Sequence, residues 1–237
     1  MRYKAILFDL DGTLVPMDMN RFLGGYFKGL AKKLERYDIA YDALVKSIWE
    51  GTKAMVNNDG NDSNRNVFWE VFEKGIGYSD KDIEKECLDF YANEFNEVKS
   101  ETSPNPLAKS AVEIARDKAD IVVLATNPVF PIVGQRTRMG WVGLSEKDFD
   151  LITSYESDSY CKPNPKYYES ICERLNIAPY ECLMIGNDTT EDMYAARSAG
   201  MDGYLVTDWL IEDKDNKWEG MRGTFAQMVD MLRSLEA

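Results

Sequence analysis

The chain contains no histidine, which excludes Ser-His-Asp and Cys-His catalysis and any His-ligated metal. Acid–base work must then fall to carboxylates, lysine or tyrosine. Cysteine is scarce: Cys87, Cys161, Cys172 and Cys182 show none of the paired spacing of zinc sites or disulfide frameworks, and they read as reduced thiols. Long apolar runs are missing too. Asp9 interrupts the first apolar stretch almost at once, so neither a secretory h-region nor a membrane span is expected, and the expected compartment is the cytoplasm. Positive charge is short: a formal net charge of −13 argues against nucleic acid and anionic membranes as partners. It also repels phosphorylated ligands at long range, so a phosphate site would need a local cation.

What is present is enough apolar material, 44% with 12% aromatic in 237 residues, to build one large or two smaller cores. Ala5-Ile6-Leu7-Phe8 is an unbroken apolar run of the kind found in strands covered on both faces. It ends in Asp9-Leu10-Asp11-Gly12-Thr13, two acids close enough to repel unless a cation or a shared proton offsets them. A solvated Asp-Gly turn is the plain alternative. The pattern then turns helical to about residue 102. Phe22, Leu23, Tyr26, Phe27, Leu30 and Leu34 form one stripe; Leu44, Ile48, Trp49 and Met55 form another, and Phe68, Trp69 and Phe72 a short third. These aromatic stripes read as core rather than as a ligand box. Gly24-Gly25 marks a bend or a close backbone approach. Asn57 to Asn66, including Arg65, is a polar loop that is a candidate for specificity contacts, a solvated turn being the plain alternative, and Ser79 to Asp82 caps a helix running to about Val98.

After a proline-bearing linker, Ser100 to Pro106, helix and strand alternate. Helix is expected over 107–119, 165–175, 190–199 and 224–235; strand is expected at 121–125, 151–153, 182–185 and 204–206. That order implies right-handed crossovers and a doubly wound parallel sheet, an α/β fold. Three further polar clusters follow strand ends: Thr126-Asn127-Pro128, Lys162-Pro163, and Gly186-Asn187-Asp188-Thr189-Thr190-Glu191-Asp192. Singly, each has a local account as turn hydroxyl, exposed lysine or helix cap. Jointly, a parallel sheet brings them to one crevice at its carboxyl edge.

Taken in order, these four clusters resemble the four motifs of the haloacid dehalogenase (HAD) superfamily. The resemblance covers a Rossmann-like core of residues 1–15 and 103–237, with residues 16–102 resembling the family's inserted α-helical cap. It implies a Mg²⁺-dependent phosphatase acting on a small phosphorylated metabolite. By it, Asp9 attacks phosphorus to give an aspartyl-phosphate, and Asp11 protonates the leaving oxygen and then activates water. Thr126 and the backbone at Asn127 hold phosphoryl oxygens, and Lys162 neutralises nucleophile and phosphate. Mg²⁺ binds Asp9, the Asp11 carbonyl and an acid of the fourth motif. Oxygen ligation suits this hard cation in a histidine-free chain. The family's commonest fourth motif has Asp directly after Gly, whereas here Asn187 stands there. Asp188 is the expected ligand because an amide is the poorer one, with Asn187 or Asp192 as alternative or supporting partner.

A receiver-like phospho-acceptor module would share clustered acids, Thr and Lys, but would carry its acceptor on a middle strand of the sequence. Dehalogenases of the same superfamily lack the second acid, so Asp11 favours phosphate chemistry. A phosphomutase or phosphonate hydrolase would use the same core. Substrate specificity in such enzymes comes mainly from the cap.

Overall fold

A computed structural model describes residues 3–78, 81–215 and 217–236 of the chain. Six strands form one parallel sheet in the order β3-β2-β1-β4-β5-β6: β1 (Ala5–Phe8), β2 (Ile121–Leu124), β3 (Leu151–Ile152), β4 (Cys182–Gly186), β5 (Asp202–Val206) and β6 (Met221–Gly223). Phe8 is in register with Leu124 on one side and Ile185 on the other, so three strand ends lie level. Alternation along β1 sends Ile6 and Phe8 into one core, shared with the helices α5 (Ala108–Lys118) and α9 (Phe225–Ser234). Ala5 and Leu7 enter a second core with α7 (Pro165–Leu175) and α8 (Ala195–Ser198). Both faces are covered, which is why the strand reads as an unbroken apolar run.

Between β1 and β2 lies a helical block of α1 (Met19–Lys33), α2 (Tyr41–Val56), α3 (Asn64–Ile76) and α4 (Lys81–Ala92). It is inserted after the first strand of the doubly wound sheet. Its aromatic rings pack edge to face, Phe22 on Phe95 and Tyr91 on Phe130 at centroid separations of 6.0 and 5.9 Å, and Phe130 belongs to the segment after β2. The two connections to the sheet run side by side: Met17 pairs with Thr102, and Ser103 N–H donates to the Pro16 carbonyl at 2.9 Å.

Several elements differ from the expectations. α1 runs unbroken through Gly24-Gly25. Gly25 makes the close approach, since a Cβ there would lie 3.1 Å from the Glu101 side chain. α4 stops at Ala92 rather than near Val98, because Asn93 leaves helical dihedrals (φ −119°, ψ −85°) and turns its amide back onto Asp89. A 3₁₀ helix, Glu94–Glu101, follows. The expected cap at Ser79 and Asp80 lies outside the described residues. The helix expected from Thr190 opens as a π-helical turn, Thr189–Tyr194, before α8. β6 and α6 (Ile132–Trp141) were not expected at all.

Candidate active site

Asp9 and Asp11 leave the end of β1 through a tight loop in which Gly12 N–H donates to the Val15 carbonyl at 2.8 Å. Gly12 has φ +86°, and a Cβ there would run into the Asn187 amide, so only glycine lets the first and fourth strand ends meet. Asn187 is buried and fully engaged: its Oδ1 accepts from Thr13 Oγ1 at 3.1 Å, and its Nδ2 donates to the Trp209 carbonyl at 2.6 Å. Asp188 caps the following turn, its Oδ1 accepting from Thr190 and Glu191 N–H at 2.7 and 2.8 Å.

Lys162 lies beneath these groups with 1% of its surface exposed. Its ammonium donates to Asp9 Oδ1 at 2.9 Å and to Asp192 Oδ1 at 2.6 Å. The other oxygen of Asp192 accepts the backbone N–H of Asn187 and of Asp188, each at 3.0 Å. Gly186 permits this arrangement, because a Cβ there would occupy the place of the Asp192 carboxylate. Burial alone would push the Lys162 ammonium down, but Asp192 and Asp9 outweigh it and hold it well above the usual lysine range. Burial pushes Asp9 up to about 8; Lys162 opposes this, while Asp192 and Asp11 add to it. Glu191 is pushed up to about 7, chiefly by burial, with Asp192 and Asp188 adding against Lys162.

A residue that the strand ends do not reveal completes the site. Arg138, on α6, is entirely buried; its guanidinium lies 4.2 Å from the centre of the Phe130 ring and hydrogen-bonds Asp11 Oδ2 and Gln135 Oε1. The other oxygen of Asp11 is buried with no hydrogen-bond partner among the described residues, as is Asn127 Oδ1. Two acceptors are thus left for something that enters the site. Asn127 Nδ2 donates to Glu191 Oε2 at 3.0 Å.

Asp9, Asp11, Thr126, Asn127, Asn187, Asp188 and Asp192 all line one cavity of about 440 Å³; Lys162 stands behind Asp9 rather than in its wall. The cavity continues into the helical block, where Phe22, Tyr26, Phe27, Trp49, Trp69 and Phe72 also line it. The stripes expected as plain core therefore do both jobs. Apolar periodicity marks the inward face of a helix whether the space behind it holds side chains or a ligand. Arg65 is elsewhere: it forms a two-pronged pair with Glu84 at 2.7 and 2.6 Å and is not part of this cavity wall.

The fold and this row of strand-end acids define a class of α/β hydrolases that work from the carboxyl edge of a parallel sheet. The chain belongs to the haloacid dehalogenase-like hydrolase family, whose model matches residues 3–200. It is 23% identical over 217 residues to a phosphoglycolate phosphatase of Nitrosospira multiformis, covering 90% of this chain and 86% of that protein. It is 27% identical over 199 residues to a phosphorylated carbohydrates phosphatase of Thermotoga maritima, covering 84% and 82%. The crystal structure of a HAD phosphatase from Thermococcus onnurineus superposes with a TM-score of 0.64 at 20% identity, over 99% of this chain and 100% of that one.

Proposed function

We propose that this hydrolase is a phosphatase of small phosphorylated compounds. The observation that carries it is the convergence of Asp9, Asp11, Thr126 and Asn127 on one cavity with the charged Lys162 directly behind the nucleophile. Asp9 attacks phosphorus in line while Asp11 delivers a proton to the departing oxygen, leaving an aspartyl-phosphate and a free alcohol. Asp11, now a carboxylate, takes a proton from water as the hydroxyl attacks phosphorus; phosphate leaves and Asp9 is restored. Arg138 fixes one Asp11 oxygen, so the other faces the reacting atoms. Thr126 and the Asn127 backbone hold the equatorial oxygens. Residues 16–102 act as a cap over a core of 1–15 and 103–237.

The residues also suit Mg²⁺. Five carboxylates, Asp9, Asp11, Asp188, Glu191 and Asp192, line the floor of the cavity against two buried cations, Lys162 and Arg138. Asp9, the Asp11 carbonyl and Asp188 would hold the ion, with Asn187 spent on Thr13 and Trp209 and Asp192 on Lys162. Among the described residues no three acids or thiols form a ready metal cage. Mg²⁺ takes few protein ligands and keeps water or phosphate oxygens. Bound there, it would supply charge stabilisation at the phosphoryl oxygens.

Release of inorganic phosphate from p-nitrophenyl phosphate tests the proposal. Activity should need Mg²⁺ and vanish with chelator. Asp9→Asn should abolish the hydroxylamine-labile phospho-adduct altogether. Asp11→Asn should lose roughly 10²–10⁴-fold in turnover while still forming it. An adduct on Asp9→Asn, or full activity after metal removal, would refute the assignment. On a sugar phosphate, a phosphoryl group recovered on another hydroxyl of the sugar instead of in solution would mark a mutase.

A further inference from the structure

The cavity above Asp9 is polar at one end only. Its floor carries the carboxylates, Thr126 and Asn127, and its remaining walls are mostly aromatic and aliphatic side chains of the helical block and of the segments after β2 and β3, with Thr52 the one hydroxyl outside the tyrosines and no lysine or arginine among the described residues that line it. Most polar tips deep in those walls are engaged with one another: the Tyr26 and Tyr91 hydroxyls bond at 2.7 Å, and Trp69 Nε1 donates to the Tyr155 hydroxyl at 3.4 Å, which leaves Thr52 and the half-exposed Trp49 as the other polar tips of the lining. Burial pushes the Cys87 thiol up to about 12, so it lines the cavity as a neutral group. A leaving group bearing a carboxylate or a second phosphate would enter apolar space beside crowded acids without a counter-charge. A polyhydroxylated one would leave hydroxyls unpaired. Hydrocarbon, by contrast, is favoured there, and about 440 Å³ is within the usual range for a small-molecule site.

Resting on the phosphatase reading, we propose that the substrate is the phosphate monoester of an apolar, uncharged alcohol. Its phosphoryl group lies against Asp9, and its hydrocarbon extends between α1 and α3 past Phe22, Tyr26, Trp69 and Phe72. The cap then selects against phosphorylated acids and sugars.

The experiment measures kcat/KM for linear alkyl phosphates from ethyl to hexyl, beside phosphoglycolate and glucose 6-phosphate. Each methylene should raise kcat/KM roughly fourfold until the cavity is full, and phosphoglycolate should fall below ethyl phosphate. A flat series, or preference for phosphoglycolate or the sugar phosphate, overturns the proposal. Calorimetric titration of the matching alkylphosphonates into the wild-type protein separates this from the chemistry. If no ester is hydrolysed the phosphatase reading fails, and the affinity series alone then decides: a rise with chain length supports the apolar subsite, and none overturns it. In Trp49→Lys, at the half-exposed edge of the cavity, hexyl phosphate should lose about tenfold relative to ethyl phosphate. An unchanged ratio overturns the placement of the hydrocarbon in this cavity.

Discussion

Arg138 is where a single side chain decides most. Its planar fork serves Asp11 and Gln135 at once while its face stacks on Phe130, which the point charge of a lysine cannot reproduce. Arg138→Lys should therefore lower kcat on p-nitrophenyl phosphate about 10- to 100-fold with a smaller change in KM, since Asp11 stays charged-paired but loses its fixed orientation. Arg138→Met leaves a half-buried carboxylate unpaired and should cost about 3–5 kcal/mol in urea unfolding. Equal stability of both variants would show that the charge at this position contributes nothing to the fold. Asp9, Asp11, Thr126, Asn127 and Asp188 were legible because each directly follows a strand whose apolar run is plain. Arg138 was not: it sits on a helix in the stretch 132–141 where no periodicity stands out, and only the packing of α6 on the loop after β2 carries it to Asp11. Glu191 lay inside a motif but gave no sign of its own burial.

Among the elements, the first turn of α3 and the loop before it do more than close a turn. Asn64 is fully buried; its Nδ2 donates to the Pro128 carbonyl at 3.2 Å, and its Oδ1 accepts from Asn58 at 2.8 Å. The backbone N–H groups of Asn64 and Arg65 donate to the Asp158 and Tyr155 carbonyls at 2.9 and 2.7 Å. The helical block is thus fastened over the segments that follow β2 and β3. Asn64→Ala should cost about 1–3 kcal/mol of stability, by stranding buried partners, and should speed amide exchange over 58–66. Exchange at the wild-type rate would mean that the two backbone bonds suffice. A loop rich in Asn and Asp announces a turn, yet nothing in its composition tells which carbonyls of a distant segment it will meet. The same limit hid β6: its three residues, exposed or half-exposed, have no apolar run, and they exist as a strand only because β5 offers an edge. The end of α4 at Ala92 turned on one asparagine side chain competing for the backbone, against a periodicity that continued.

For the whole molecule the governing quantity is negative charge gathered at one edge of the sheet. Burial raises Asp9 to about 8 and Glu191 to about 7. A carboxyl with a higher pKa folded than unfolded favours the fold below its ordinary value and withdraws that contribution as pH rises through the folded one. In chelator, the unfolding free energy should therefore fall between about pH 4.5 and pH 8, by roughly 1–3 kcal/mol for Glu191. Glu191→Gln should flatten that fall in urea titrations at pH 5 and pH 8, and Mg²⁺ should stabilise the wild type more at pH 8 than at pH 5. A stability that rises across this window would contradict the burial of these acids. One further property follows from the pairing of Met17 with Thr102 and of Pro16 with Ser103. The whole helical block leaves and re-enters the sheet at neighbouring backbone positions, so the chain between them is, to the sheet, no longer than a hairpin loop. Its length and content can then be exchanged in evolution or in the laboratory with little change in the entropy of closing the core, and one ancestral sheet can acquire new chemical tastes by trading a single insert.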